Sequence, residues 1–532
     1  MMVQQRAGVA SVRTLAIWLV AAFALIYVGL ASTASAAGVI PTNRGPVRGL
    51  DTPTEKEYLG IPYAAPPVGD LRWRPPRPHA RWQTPLDATH FANHCPQQGS
   101  FVGGASTNED CLYLNVYTPN LGNGKGHAKD LPVMFWIHGG ALSSGESDDY
   151  DPTRLVQQGR VVVTINYRLG WLGFLAHPTL TAESPNHASG DYGFMDQQAA
   201  LRWVKRNIAK FGGDPGNVTI FGQSAGGQSV YAQLASPLSA GLFQRAIPQS
   251  GTYAMHLPSL AQGEASGENI ANRVGCQDQT AACLRSVPVQ DLLPTQPSGG
   301  LPIVPSVDGY VLPQSLDTAF HDGTFNRVPV MPGSTHDEFT SFAAVLVPNV
   351  PPILYSLVVN VFVSTLQLHA DPTAIVAEYP ITNYQSDVRI ALSAIGTDVL
   401  FSCSQRRTDQ DLSRFVSTHA YEFNDPNAPT ILAPPGNFPY HSYHASELPY
   451  LFDSTTRGGH APLTPDQEKL AAAMVSYWTR FAGAGDPNSP ATPSWPAYTI
   501  ANDTFQSLAP PTPQPTTGFA ADHKCAFWDA HQ

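Results

Sequence analysis

The chain has 532 residues, a net charge of −11 and only 13% charged side chains. With no basic block, that balance excludes a protein that grips a phosphate backbone, so no nucleic-acid partner is expected. The length allows a large core, and 49 prolines with 44 glycines make the chain rich in loops rather than disordered.

In chain order, Arg6 and Arg13 precede an apolar run from Thr14 to Leu30, and Ala34-Ser35-Ala36 follows. A basic start, an apolar middle and a small-x-small end are the parts of an export signal. Residues 1–36 are read as that signal, cleaved after Ala36, which gives a secreted or cell-envelope protein. The apolar run is also just long enough to span a bilayer. An uncleaved anchor is the alternative, and the one route by which this chain would meet a membrane. Six cysteines, Cys95, Cys111, Cys276, Cys283, Cys403 and Cys525, fit an exported chain. Nearness in sequence favours Cys95–Cys111 and Cys276–Cys283, which leaves Cys403–Cys525. None lies in a C-x-x-C or beside histidines at metal spacing, so no metal is expected.

Residues 40–120 hold short alternating apolar runs, such as 58–63 and 112–117, that read as antiparallel strands. The loop Asn120–Lys129 is polar and glycine-containing, and is expected to be exposed. The pattern then changes. Val133–Ile137 is a near-continuous apolar run of the kind a buried parallel strand needs, and it ends in His138-Gly139-Gly140-Ala141. Val161–Asn166 is a second such strand, a helix is expected from about Tyr192 to Phe211, and Val218–Phe221 is a third strand. Strand, helix, strand at this spacing predicts a doubly wound α/β sheet. Val328–Met331 and Ala420–Phe423 are later strand candidates. Residues 342–366 are unusually apolar but broken by prolines 348, 351 and 352, which argues against a spanning helix. A core helix is the plainer reading, and the wall of a pocket for an apolar acyl group is the functional one.

The strand Val218–Phe221 runs into Gly222-Gln223-Ser224-Ala225-Gly226-Gly227, with a helix-compatible stretch from Gln228 to Leu234 behind it. G-x-S-x-G between strand and helix is the nucleophile-elbow pattern. Side chains at Gly222 and Gly226 would collide with neighbouring backbone in so sharp a turn. Three fixed residues are a weak signal, and a plain tight turn produces the same string. A serine nucleophile also needs a histidine to take its proton, an acid to orient that histidine, and amide donors for the oxyanion. Gly139-Gly140-Ala141 and the amide of Ala225 are placed to be those donors. Asp337 and Glu338 compete as the acid, His441 and His444 as the base, and with 17 histidines in the chain spacing alone does not choose.

The chain resembles the type-B carboxylesterase/lipase family of α/β hydrolases, and most of all its bacterial para-nitrobenzyl-esterase-like members, over nearly all of residues 38–532. The likeness is carried by EDCLYLN at 109–115, WIHGGA at 136–141, NYRLGWLGFL at 166–175, FGGDPGNVTIFGQSAGG at 211–227, DE at 337–338, HASELPYLF at 444–452 and CAFWD at 525–529. The resemblance implies one α/β-hydrolase domain over 37–532, with a large mostly parallel sheet, flanking helices and a small N-terminal antiparallel sheet. It implies Ser224 as nucleophile, Glu338 as acid and His444 as base, with Gly140, Ala141 and Ala225 as oxyanion donors. Ala141 stands where many relatives have a third glycine. Ser250 matches a serine near the triad. The family's disulfides match Cys95–Cys111, Cys276–Cys283 and Cys403–Cys525, and its structural ion pairs match Arg72–Glu109 and Arg168–Asp196. No cofactor is implied. The loop between Cys95 and Cys111 is short and lacks tryptophan, and Gln223 stands where cholinesterases have a glutamate; both argue against a choline ester. The expectation is a monomeric serine carboxylesterase acting through an acyl-enzyme on a small or lipid-like ester. The alternatives are a true lipase with 342–366 as its lid, or a non-catalytic surface-binding protein on the same fold.

Overall fold

The computed structural model describes residues 35–531, apart from 101, 121–128, 298–302, 432–437 and 454–460. The expected export segment therefore lies outside the described residues up to position 34, as does most of the loop Asn120–Lys129.

The strands are β1 (Ser35–Pro41), β2 (Pro46–Asp51), β3 (Glu55–Pro62), β4 (Leu86–Asp87), β5 (Tyr113–Pro119), β6 (Leu131–Ile137), β7 (Val161–Ile165), β8 (Gly213–Gln223), β9 (Arg245–Gln249), β10 (Gly333–Thr335), β11 (Tyr421–Phe423), β12 (Phe505–Leu508) and β13 (Gln514–Thr516). They form one sheet in the order β1-β2-β3-β5-β7-β6-β8-β9-β10-β11-β12-β13, with β4 on β2. From β7 to β12 every pairing is parallel. The antiparallel N-terminal strands form a wing of this same sheet, because β5 pairs antiparallel with β7.

The central strands are apolar on both faces because helices cover both. Along β6, Val133, Phe135 and Ile137 enter one core, and Met134 and Trp136 enter the other. This is the alternation a pleated strand imposes. Helices Tyr192–Asn207 and Ala225–Ala235 contribute Leu201, Val204, Val230 and Leu234 to the first core. Helix Pro465–Ala484, started by a Thr464–Gln467 capping box, contributes Trp478 and Phe481 to the second. Among the described residues no helix is long and apolar enough to cross a membrane.

Two expectations need correction. No strand spans Val328–Met331. Only Val330 bridges there, to Ala246 and Thr418, and the strand is β10, further on. Pro329 and Pro332 have no N–H to give a ladder, which confines regular pairing to the residues beyond them. The stretch 342–366 is not a core helix either. It forms helices Thr340–Leu346 and Tyr355–Leu366, joined through a short 3-10 turn at Pro352–Leu354; they bury Ala343, Tyr355, Val359 and Val363 but leave Val345, Leu357 and Val361 in solvent, as the turn does Ile353.

The six cysteines form three bridges, Cys95–Cys111, Cys276–Cys283 and Cys403–Cys525. Their loops span 16, 7 and 122 residues. In the chain-entropy picture the longest loop restricts the unfolded chain most, by about 5 kcal/mol against about 2 for the shortest. The double substitution Cys403→Ser/Cys525→Ser should therefore lower the urea-unfolding free energy by roughly twice as much as Cys276→Ser/Cys283→Ser. Equal losses would refute loop length as the cause.

Candidate active site

β8 ends at Gln223 and helix Ala225–Ala235 begins one residue later, so Ser224 alone makes the turn. It sits at φ 60° and ψ −123°, a region that costs a non-glycine residue about 1–3 kcal/mol. Its N–H donates to the Gln249 carbonyl at 2.8 Å, which fixes the turn against β9. A Cβ at Gly222 would meet the Ile137 carbonyl oxygen at 2.6 Å, and one at Gly226 would meet it at 2.0 Å. The two glycines are thus required where the sequence placed them. Ser224 also occupies the N-cap position of an eleven-residue helix without a side-chain capping bond, where unpaired N–H groups and the helix dipole favour negative charge.

β6 delivers the second wall. After Ile137 the chain turns through Gly140 (φ 105°), Ala141 (φ 59°) and Leu142 (φ 57°). Ala141 adopts the left-handed backbone that glycine would adopt freely, a cost of roughly 1 kcal/mol. A side chain at Gly139 would reach the Gln223 carbonyl at 2.7 Å and the Ser224 Cβ at 3.0 Å, so this loop lies directly against the elbow. The N–H groups of Gly140, Ala141 and Ala225 take part in no hydrogen bond among the described residues. His138, ahead of the loop, is fully buried and stacked on Tyr167 with centroids 4.5 Å apart. Burial pushes its pKa down to about 4 and keeps it neutral.

The loop after β10 brings Glu338 to His444. Glu338 is fully buried; Oε1 accepts the Thr335 N–H at 2.7 Å, and Oε2 lies 2.5 Å from His444 Nδ1. On the other side of the ring, the Gln223 side-chain amide lies 3.2 Å from His444 Nε2. A carboxylate on one nitrogen and an amide donor on the other assign the proton to Nδ1 and leave Nε2 with its lone pair. Ser224 Oγ makes no hydrogen bond to His444 in this arrangement. The competing acid points elsewhere: Asp337 Oδ2 lies 3.1 Å from His336 Nδ1 and accepts the Ser442 N–H at 3.2 Å. Ser250 follows β9 with φ 53°, and its buried Oγ has no partner among the described residues. The ion pairs Arg72–Glu109 and Arg168–Asp196 form at 2.5 and 2.7 Å.

Sequence reasoning offered 342–366, and with it Phe342, as a pocket wall but missed the other aromatic residues beside His444. Phe342 and Phe401 approach His444 at centroid distances of 5.0 and 5.3 Å, and Phe339 and Tyr253 extend the wall. Phe342 was legible as part of an apolar run, but nothing local ties Phe401 to it.

A mostly parallel sheet whose crevice lies at the C-terminal ends of β6, β8, β10 and β11, with a serine elbow after β8, defines an α/β-hydrolase fold. The carboxylesterase family profile matches residues 36–528, and the chain belongs to that family. It is a carboxylic-ester hydrolase. It is similar to the fumonisin B1 esterase of Sphingopyxis macrogoltabida, with 37% identity over 86% of this chain and 84% of that one. It is similar also to the para-nitrobenzyl esterase of Bacillus subtilis, with 34% identity over 86% and 92%. Among solved structures, a thermophilic para-nitrobenzyl esterase superposes with a TM-score of 0.77 at 31% identity, covering 92% of this chain and 99% of that one.

Three residues beyond His444 lies Glu447, also fully buried. Oε1 accepts from Gln249 Nε2 at 3.0 Å, and Oε2 has no partner among the described residues. Burial, with the Glu338 charge nearby, lifts its pKa from 4.5 to about 7. An acid whose folded pKa is raised stabilises the fold fully below its unfolded pKa. That contribution is lost as pH rises through the folded value, here across pH 4.5–7. The loss amounts to about 3 kcal/mol. Glu447→Gln stays neutral and keeps the acceptor, so it should gain thermal midpoint relative to wild type between pH 5 and pH 8. A difference independent of pH would refute this.

Proposed function

We propose that Ser224, His444 and Glu338 form a serine-hydrolase triad that works through an acyl-enzyme. The observation that carries this reading is the position of His444. Its Nδ1 is held by Glu338, and its Nε2 is in contact with the side chain of Gln223, the residue next to the strained serine. Movement of the Gln223 amide off Nε2 frees that lone pair for the Ser224 hydroxyl.

The steps follow from these atoms. His444 Nε2 takes the Ser224 proton as Oγ adds to the ester carbonyl. The carbonyl oxygen becomes an oxyanion held by the N–H groups of Gly140, Ala141 and Ala225, each worth roughly 3 kcal/mol of barrier. Collapse breaks the bond to the leaving alkoxide, which takes the proton back from His444. Water, deprotonated by His444, then adds to the acyl-enzyme and releases the acid. Glu338 keeps the ring in the productive tautomer and stabilises the imidazolium.

The substrate in this reading is an uncharged or weakly charged ester with an apolar part against Phe342 and Phe401. Gln223 brings no negative charge for a quaternary ammonium. We read the protein as exported. Arg6, Arg13 and the 14–30 run support this, as do three disulfides, which persist in oxidising compartments. Cleavage after Ala36 would trim β1 by its first two residues.

A second reading, a lipase, has one observation in its favour. Six of the eleven strongly exposed large apolar side chains among the described residues lie between Val345 and Val361. This surface adjoins the crevice through Phe342.

With p-nitrophenyl acetate, Ser224→Ala should lose at least about 10⁴-fold in kcat. Glu338→Gln should lose roughly 10³–10⁴-fold. Asp337→Asn should lose far less, and the reverse ranking of the two acids would falsify the triad. For the second reading, hydrolysis of tributyrin is followed across its solubility limit. A smooth saturation curve is expected of the esterase, whereas a rate jump at the limit would establish the lipase.

A further inference from the structure

Behind the Glu338 loop, two histidines and four carboxylates converge. His523 is fully enclosed between Asp398, 2.7 Å from its Nδ1, and Glu422, 2.6 Å from its Nε2. His336 lies between Asp337 and Asp522, each 3.1 Å from a ring nitrogen, Nδ1 and Nε2 respectively. The two imidazoles sit 5.2 Å apart, and the donor atoms of His336, Glu422 and His523 fall within 4.8 Å of one another.

The arrangement has two layers. Each histidine presents one nitrogen toward Glu422 or Asp522 and has its other nitrogen held by a separate carboxylate. This is how metal-ligating histidines are oriented, with an outer carboxylate fixing tautomer and ring. The outer layer is itself braced: the second oxygen of Asp398 accepts the Tyr379 hydroxyl at 2.6 Å, and Trp528 Nε1 donates to that hydroxyl at 2.7 Å. Glu422 and Asp522 line an open cavity of about 330 Å³, together with Asn424 and Ser507, so an ion has a way in. Tetrahedral ligands at about 2.1 Å from a metal are about 3.4 Å apart. The His523–Glu422 and His336–Asp522 pairs, at 2.6 and 3.1 Å, would each open by less than about 1 Å. The His336, Glu422 and His523 donors would close from within 4.8 Å, and Asp522 would join from outside that group.

We propose that His336, His523, Glu422 and Asp522 form a binding site for one divalent metal ion of the zinc class, with Asp337 and Asp398 as its outer carboxylates. Two imidazoles and two carboxylates suit zinc better than calcium or magnesium, which prefer all-oxygen shells. The ion would brace the catalytic loops without touching substrate. His336 and Asp337 directly precede Glu338, and Asp337 also holds the Ser442 N–H, two residues before His444. The site is independent of the triad reading, because metal binding is measured without turnover.

A second cluster serves as an internal control. His94 lies between Glu146 at 2.7 Å and Asp148 at 3.0 Å, but it is a single imidazole with two carboxylates, so a metal there would lack the second histidine and the outer carboxylates of the first cluster. The purified full-length chain is stripped with chelator, loaded with ZnCl₂, desalted, and its metal measured by inductively coupled plasma mass spectrometry. One zinc per chain is expected. Asp522 is exposed, so Asp522→Asn should fold, and with His336→Gln it should weaken zinc binding about tenfold or more, while His94→Gln leaves it unchanged. Failure of the wild type to retain zinc overturns the proposal. So does unchanged retention in Asp522→Asn, loss in His94→Gln, or retention of calcium in place of zinc in a parallel CaCl₂ loading.

Discussion

Glycine-to-backbone contact sets the geometry on which the crevice depends. Around Ser224 three chain segments meet with no side chain between them. Gly222 and Gly226 touch the end of β6, and a Cβ on Gly227 would come within 2.3 Å of the Gln249 carbonyl at the end of β9. Strands β6, β8 and β9 are locked side by side, β6 to β8 up to the pair Ile137–Gly222 and β8 to β9 up to the pair Gln223–Gln249. The serine cannot relax its backbone without breaking that ladder. The same closeness lays the loop after Ile137 against the elbow, so the strained turn and the free amides are products of one packing event.

The acid and the histidine arrive differently. They lie on loops after β10 and Phe423, and their placement depends on hydrogen bonds between loops. The Asp337–Ser442 contact, the Asp337–Tyr443 bridge and the Glu338–His444 pair tie the two loops at successive residues. Buried carboxylates are costly unless they are paired. Glu338 is satisfied on both oxygens, whereas Glu447 Oε2 has no partner among the described residues, and burial raises the pKa of Glu447. The region is thus held by partnered charges surrounding one carboxyl that is better off neutral.

What the sequence revealed follows from how local each signal is. β6 and β7, and the apolar half of β8, read as strands because both faces are buried and the residues run apolar without a break. β10 was misplaced because it is three residues long and its neighbours are prolines. The elbow was legible as a motif, and family resemblance separated Glu338 from Asp337 where spacing did not. Contacts between distant residues left no trace: Gln223 meets His444 across 221 positions, and His336 meets Asp522 across 186. The reading of 342–366 as core erred because hydropathy reports how apolar a segment is, not whether anything covers it. The periodic burial of Tyr355, Val359 and Val363 shows a helix with one covered face and one bare one.

That bare face has an ionic consequence. From Phe339 to Ala370 the chain carries no Asp, Glu, Lys or Arg, while the molecule as a whole carries a charge of −11. These helices therefore carry no Asp, Glu, Lys or Arg charge for salt to screen, whereas repulsion between the protein body and any anionic surface is screened within about 10 Å at 0.1 M salt. Added salt therefore weakens the field of the acidic body around these helices and leaves their own apolar surface as it is.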